Sequence, residues 1–191
     1  MKAKLLLLIP LLLPLTMFAQ SEHLTFKGVP IDGTLRQFTS QLIQKGFTKI
    51  GSENGISVLT GDFAGYKDCS VVVTTMEKQD LVYMVAVKFP DLSTWSLLES
   101  NYTKLKEMLT TKYGKPSSCV EEFQHSYVSD DCQRLHELQM DRCEYKTVFE
   151  TEKGRIALTL GHEKFSSCFV LLGYIDGING AIMNNAAMDD L

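Results

Sequence analysis

Apolar residues recur at intervals of three and four between Thr34 and Lys45, and this spacing predicts an amphipathic first helix. Gly46 follows the last apolar position and is a natural stop for the helix. Two residues can cap its start: Thr34, with Gln37 three positions later as in a capping box, or Asp32. Either cap gives the same fold.

The helical spacing returns over a longer stretch, from Ser93 to Tyr113. Gly114 and Pro116 end this second helix. Its apolar stripe is made of Trp95, Leu98, Tyr102, Leu105 and Leu109. Such a stripe is typical of a helix that covers a sheet, so we expect Trp95 to be buried there.

Between the two helices the hydrophobic period changes to two, which predicts strands with one buried face. Asn54-Gly55 marks a hairpin turn, in a loop longer than the two-residue ideal, and the polar residues 77–80 supply a later turn. The predicted strands are 47–51, 56–63, 69–75 and 81–89. Their order predicts an antiparallel meander.

A polar stretch, 115–144, follows the second helix, and the strand pattern then resumes. Glu152-Lys153-Gly154 predicts a tight turn between the first two new strands. These strands are predicted at 145–151, 155–161 and 168–175. The end of the chain, 179–191, has few large apolar residues and is expected to lie loosely on the surface.

The two parts of the chain therefore share one order of elements: a helix that ends in glycine, then a meander of three or four strands. This order predicts an α+β fold of two α-βββ units, with repeat halves at 20–92 and 93–178 inside a single domain, 20–191. One amphipathic helix is expected to cover each antiparallel meander sheet, because each half has one stripe and one sheet face to bury. The two sheets are expected either to be joined or to face each other.

The first residues have the pattern of a signal peptide. Lys2 and Lys4 precede an apolar run, 5–15, which is shorter than the roughly 20 residues that cross a bilayer. Cleavage after Ala19 would remove 1–19, and no nearby cysteine offers a thiol for lipid attachment. We expect a periplasmic or secreted protein without a membrane anchor.

The charge of the chain argues against nucleic acid as a partner. The sequence has 19 basic and 23 acidic residues, and loss of Lys2 and Lys4 with the signal peptide would make it more acidic. The remaining basic residues are scattered or lie beside acids, so they form no basic face that could follow a phosphate backbone.

Five cysteines lie in the mature part of the chain. An oxidising compartment favours disulfides, and we expect at least one to involve the polar segment 115–144, which has too few apolar residues to hold itself in place. The disulfide candidates are Cys69, Cys119, Cys132 and Cys143. Cys168 is the expected free thiol, because in a meander one strand separates it from Cys143.

No motif predicts a catalytic, cofactor or metal site. The segment 115–144 does contain zinc-type ligands, but their spacing lacks a Cys-x-x-Cys pair, so a disulfide-stapled loop is favoured. These ligands are Cys119, Cys132, His136 and Cys143. The acid pairs Glu121-Glu122 and Asp130-Asp131 are interpreted as a solvated edge rather than a calcium site.

A nucleophilic hydrolase would need a serine or cysteine with a histidine base. Such a dyad would have to join residues far apart in the sequence. The cysteine would be whichever thiol is free, and Cys69 or Cys168 with His162 is one pairing, although both cysteines adjoin apolar strands. His125 and His136 are the other candidate bases.

Two segments carry a resemblance to known proteins, FKGVPIDGTL at 26–35 and FETEKGRI at 149–156. They are similar to segments of uncharacterised exported proteins of Bacteroidetes-type gut bacteria. The order of elements also resembles the α-βββ repeat modules of the β-lactamase inhibitor proteins and of the small outer-membrane assembly lipoproteins. These are binding modules without catalysis, so the resemblance implies fold and export but no activity.

These observations together predict an exported, non-enzymatic module of the bacterial envelope. It would bind a protein or another extracytoplasmic ligand through an exposed sheet face, and an assembly factor would differ only in its partner. The alternative is an extracytoplasmic cysteine-dependent hydrolase with a dispersed Cys/His dyad.

Overall fold

A computed structural model describes residues 22–76, 79–125, 129–163 and 167–189. The signal peptide predicted at 1–19 lies outside these residues, as do the first two residues of the turn predicted at 77–80. The described part is a mixed α/β fold, mostly antiparallel sheet, with four helices. The predicted class is confirmed at this level, whereas its finer form, two α-βββ units, is not.

The first part of the chain forms a short ribbon, one helix and four strands. The ribbon is β1 (Thr25–Phe26) and β2 (Val29–Pro30), and α1 (Leu35–Gln44) follows it. The strands are β3 (Thr48–Glu53), β4 (Ile56–Phe63), β5 (Tyr66–Met76) and β6 (Gln79–Lys88). Thr34 caps α1 in a full capping box with Gln37, which decides between the two predicted caps.

The second part of the chain contains three further helices and four strands. It begins with α2 (Trp95–Tyr113), β7 (Ser118–Phe123) and α3 (Asp131–Gln139). It continues with β8 (Cys143–Thr151), β9 (Gly154–Glu163), β10 (Ser167–Asp176) and α4 (Gly177–Asp189). The chain end was expected to be loose, but α4 occupies most of it, and the polar segment 115–144 holds both β7 and α3.

The β3–β4 connection is tighter than its sequence predicts. The two strands run up to Asn54 and Gly55, so the loop has two residues rather than more. Both residues have positive φ, 47° and 74°, as a type I′ turn requires.

All strands except those of the ribbon join one eight-stranded sheet. Its order is β3-β4-β5-β6-β10-β9-β8-β7, and every neighbouring pair is antiparallel. The two meanders are joined into one sheet rather than facing each other, because β6 pairs with β10 along Met84–Lys88. Each half of the sheet has four strands; four were predicted for the first half, and β7 adds a fourth to the three predicted for the second.

Three of the described helices, α1, α2 and α3, bury the core against one face of this sheet. The predicted α2 stripe is buried along its whole length, and Trp95 is fully buried, as expected. Phe38 and Leu42 of α1 are also fully buried, against the half of the sheet formed by β3 to β6. Leu138 of α3 joins the same core cluster.

A buried carboxylate ties the two ends of the described chain together. Asp176 is inaccessible to solvent, and its side chain accepts hydrogen bonds from the backbone N–H groups of Leu24, Ile178 and Asn179, at 2.7 to 3.1 Å. His23 Nδ1 lies 2.9 Å from the same carboxylate. Asp176 thus caps α4 and fixes the segment that precedes the ribbon.

Candidate functional site

The sheet has one covered face and one open face. Strand side chains point alternately to the two faces, so the register assigns each residue to a face. On the covered face, residues such as Val71, Val85 and Leu158 are fully buried. The described parts of α1, α2 and α3 lie on the covered side, because their buried residues share the core cluster. We call the other side the open face; α4 lies over one end of it, beside Met84 and Ile175.

Short side chains cross the middle of the open face in one row. Register places six of them on neighbouring strands, Val58, Val72, Ala86, Gly173, Ala157 and Val148. Each is half-buried. With strands about 4.8 Å apart, the row spans about 24 Å. On β6, β10, β9 and β8 most side chains two residues away along the strand are longer, so over these four strands the row is the floor of a shallow trough.

Charged residues on the sides of this trough are mostly paired. Arg155 Nε lies 2.6 Å from Glu150 Oε1. Lys88 Nζ lies 3.2 Å from Asp91 and 3.3 Å from Glu163. Burial opposes the charge of Lys88, but the two carboxylates outweigh it and raise the pKa of its ammonium group. The trough therefore offers a mainly apolar floor between neutralised sides.

The structure places one predicted Cys/His pair side by side. Cys168 lies directly opposite His162 on β10 and β9. His162 Nε2 is 3.1 Å from Asp141 Oδ1, and Gln139 Nε2 donates to Cys168 Sγ at 3.8 Å. However, Cys168 is only 1% exposed and burial raises the pKa of its thiol, so this geometry lacks an accessible thiolate.

The other cysteines do not form the expected disulfides; all five are free thiols. Cys69 is fully buried on β5, and burial raises the pKa of Cys143 on β8 to about 12. Cys119 and Cys132 are exposed on β7 and α3. The expectation rested on a loose segment, yet 115–144 is held by strand pairing of β7 with β8 and by α3.

The remaining sequence candidates have structural contacts. His125 Nδ1 is 2.8 Å from Glu137 Oε2, and His136 lies in the last turn of α3. No group of three or more potential metal ligands occurs among the residues that the structure describes, so the zinc-type set of 115–144 is not assembled there.

The two predicted acid pairs are divided among different contacts. Glu121 pairs with Lys106, whereas Glu122 points to the opposite face of β7. Asp130 caps α3 by accepting from Gln133 N at 2.8 Å. Asp131 accepts from the Ser96 hydroxyl at 2.7 Å. The acids thus anchor α3 and β7 instead of forming one edge.

A cavity of about 700 Å³ lies beside the start of α1. Arg36 and Lys49 line it, and Asp80 at its wall accepts the Leu35 N–H at 2.9 Å. The cavity is open to solvent, and no His or Cys is among its lining residues. The cavity therefore holds none of the Cys/His pairs considered from the sequence, and its Asp80 carboxylate is bound to the start of α1.

Sequence reasoning missed the open-face row and the buried pair Asp176 and Asn179. Asn179 Nδ2 donates to the Ile31 and Val82 carbonyls at 3.1 and 2.9 Å. Both residues lie in a short segment with Gly177, and Asp, Asn and Gly are also ordinary turn residues. The partners of Asp176 and Asn179 lie about 100 to 150 positions away along the chain, and the fold of the whole sheet brings them together. No local pattern in the sequence shows this.

No protein family, curated protein or solved structure matches this chain. Among the described residues, none of the helices has the length and apolar character needed to cross a membrane.

Proposed function

We propose that the protein is an exported, non-enzymatic binding module whose open face takes a partner protein. The observation that carries the proposal is the row of half-buried short side chains on a sheet face opposite to the helix layer. A wide sheet face with apolar residues is normally packed against another layer, because removing its apolar area from water is favourable. A face that stays open with an apolar floor is typical of an interaction surface.

The predicted export of the chain supports this proposal. The sequence predicts cleavage after Ala19 and a periplasmic or secreted protein. The partner of such a protein would be another envelope or extracellular protein. The intact mass of the protein from its native host tests this step. We expect a chain without 1–19 and without an added diacylglycerol; a mass that includes either would contradict export as proposed.

Comparative capture tests the binding surface. The mature chain is immobilised as wild type, as Ala157→Trp in the trough floor, and as Lys146→Trp at an exposed position on the same face. Thr103→Trp, exposed on α2, is the matched control on the helix side. We expect one envelope protein to be retained by the wild type and the control, and lost on both open-face variants.

Retention of the same proteins by all four chains would contradict a role for the open face. Far-ultraviolet circular dichroism of each variant shows whether it is folded, and Lys146→Trp carries the test if the buried change in Ala157→Trp unfolds the chain. The resemblance to the β-lactamase inhibitor proteins agrees with this proposal, which does not depend on it.

The second candidate is a cysteine-dependent hydrolase built on Cys168, His162 and Asp141. The observation in its favour is the cross-strand Cys/His pair with a carboxylate 3.1 Å from the imidazole. Iodoacetamide labelling of the folded protein at several pH values tests it. A hydrolase requires fast labelling of Cys168 below pH 7 that slows in His162→Gln, whereas a buried structural thiol stays unlabelled until the protein unfolds.

A further inference from the structure

The cavity beside the start of α1 has two basic side chains in its wall. Arg36 is the second residue of α1, and Lys49 lies on the edge strand β3. Lys49 is directly opposite Leu59, which is fully buried on the covered face, so both cations lie on the helix side of the sheet. The cavity is therefore a different surface from the open face.

The protein does not neutralise these two cations. Within the described ranges of the chain, no carboxylate forms an ion pair with Arg36 or Lys49, whereas Lys88 on the open face contacts two. Asp80 also lines the cavity, but its carboxylate accepts the Leu35 N–H at 2.9 Å, and its charge is offset by the start of the helix. The cavity thus keeps two positive charges in a chain whose net charge is −4.

The two walls that carry the cations are fixed by the fold. The turn between β3 and β4 is held against β5, because the Thr75 N–H and hydroxyl both donate to the Gly55 carbonyl, at 2.9 and 3.0 Å. On the other side, Asp80 and the capping box hold the first turn of α1. These groups already occupy the helix start, so the Arg36 and Lys49 side chains carry the site. A preformed cavity of this kind needs little ordering to bind a ligand.

The wall groups define the chemistry of the ligand. A guanidinium group forms paired hydrogen bonds with a carboxylate or phosphate, and an ammonium group adds a second positive charge. The hydroxyls of Ser52 and Thr75 donate to the carbonyls of Ile56 and Gly55, so their oxygens remain acceptors. Acceptors in the wall favour a ligand that has hydroxyl groups of its own.

We propose that this cavity binds a small hydroxylated organic anion, with its carboxylate or phosphate group held between the side chains of Arg36 and Lys49. The cavity volume, about 700 Å³, lies within the range of small-molecule sites. Both cations are exposed, so salt screens them and binding weakens as ionic strength rises. This activity is separate from the capture of a protein by the open face.

NMR titration of the isotope-labelled mature chain at low salt tests the site. The probes are glycerate, glycerol phosphate and, as the neutral control, glycerol, each added up to about 20 mM to cover weak dissociation constants. We expect saturable shifts of the backbone amide signals of the cavity lining with at least one of the two anions, and none with glycerol. A response to glycerate alone assigns the site to carboxylates, and a response to glycerol phosphate alone assigns it to phosphates.

Charge-removing variants connect this binding to the two cations. Arg36→Gln and, independently, Lys49→Gln should each weaken binding about tenfold, because each removes a hydrogen bond from a charged donor. Lys45→Gln, exposed at the end of α1 and outside the cavity lining, is the matched control and should bind like the wild type.

Three results would overturn the proposal: no saturable shift with either anion, equal shifts with glycerol, or unchanged binding in both Arg36→Gln and Lys49→Gln. The amide spectrum of each variant also shows whether it is folded. None of these results bears on the capture of a protein by the open face, so the two proposals fail separately.

Discussion

The two halves of the sheet are held to their helices by different kinds of contact. In the first half most of these contacts are apolar. Phe38 and Leu42 of α1 are fully buried, and Phe26 of the ribbon has its ring centroid 5.1 Å from Phe63 and 6.0 Å from Phe47. This part closes mainly through burial, because its helix stripe and ribbon are themselves apolar, and the polar bonds at its edge lie at the helix start and in the ribbon connection.

In the second half, polar bonds accompany the apolar stripe of α2. The Tyr102 hydroxyl lies 2.6 Å from that of Thr147, and both residues are inaccessible to solvent. The α3 helix adds Glu137, whose carboxylate lies 2.8 Å from His125 Nδ1 and 2.7 Å from an Arg142 guanidinium nitrogen. The chain segment that folds over this half is polar, so ion pairs and hydrogen bonds fix it instead of disulfides.

The difference shows how a polar segment can be placed without a covalent bond. An apolar contact contributes in proportion to the area it removes from water, whereas each polar bond contributes less net free energy but fixes orientation. We therefore expect mutations in the first half to be more costly, and pH to act mainly on the second.

The largest effect is expected for Phe38→Ala in α1. Removal of this buried ring leaves a cavity that the short helix cannot refill, at a cost of about 3 to 5 kcal/mol in unfolding free energy. Urea unfolding followed by circular dichroism measures it. Gln41→Ala, exposed on the same helix, is the control and should change little. Equal stabilities for the two variants would show that α1 does not close the first half.

Leu105→Ala in α2 tests the apolar component of the second half. Leu105 lies in the middle of the buried stripe, and its truncation should cost about 2 to 5 kcal/mol. Leu98→Ala, two stripe positions nearer the start of α2, should cost a similar amount. If both leave the urea midpoint unchanged, α2 is not part of the core, and the contrast between the halves is lost.

Tyr102→Phe isolates one buried polar bond in the second half. The ring stays in place, but the Thr147 hydroxyl loses its closest partner inside the protein, which should cost about 1 kcal/mol. Urea unfolding again gives the value. Tyr113→Phe, at a half-buried position of the same helix, is the control. A cost as large as that of Leu105→Ala would mean that polar bonds dominate this half.

The smallest effect is a pH dependence carried by Glu137. Its hydrogen bonds to His125 and Arg142 hold the pKa of its carboxyl below the usual value of 4.5. Because the folded pKa is the lower one, this stabilisation is present above about pH 4.5 and is lost as pH falls through the folded pKa. Thermal midpoints between about pH 3 and pH 7 should therefore fall more steeply for the wild type than for Glu137→Gln. If the thermal midpoints of the two proteins fall equally with pH, Glu137 is not the source of the pH dependence.

Local patterns were sufficient for the elements whose own side chains decide their structure. Thr34 and Gln37 are three positions apart and cap α1 by themselves, and the α2 stripe follows from spacing alone. In contrast, β7 includes Glu121 and Glu122 and has little alternation, so only its pairing with β8 makes it a strand. The α4 helix has apolar residues without helical period, and its cap, Asp176, acts through the fold.

The candidate site was less accessible to prediction than the fold. The sequence predicts an exposed sheet face in general, but the row from Val58 to Val148 exists only once six strands are in register. Likewise, the opposition of Cys168 and His162 depends on the β9–β10 pairing, and the burial that removes thiol reactivity depends on what covers the strand.

The sequence by itself determined the two amphipathic helices, most of the strands and the alternation that gives the sheet two unlike faces, because each depends on residues a few positions apart. Tertiary structure alone decided that β6 joins β10, that Asp176 connects Leu24 to α4, and which face stays open. Those features depend on contacts between residues up to about 150 positions apart, where spacing along the chain carries no information about distance in space.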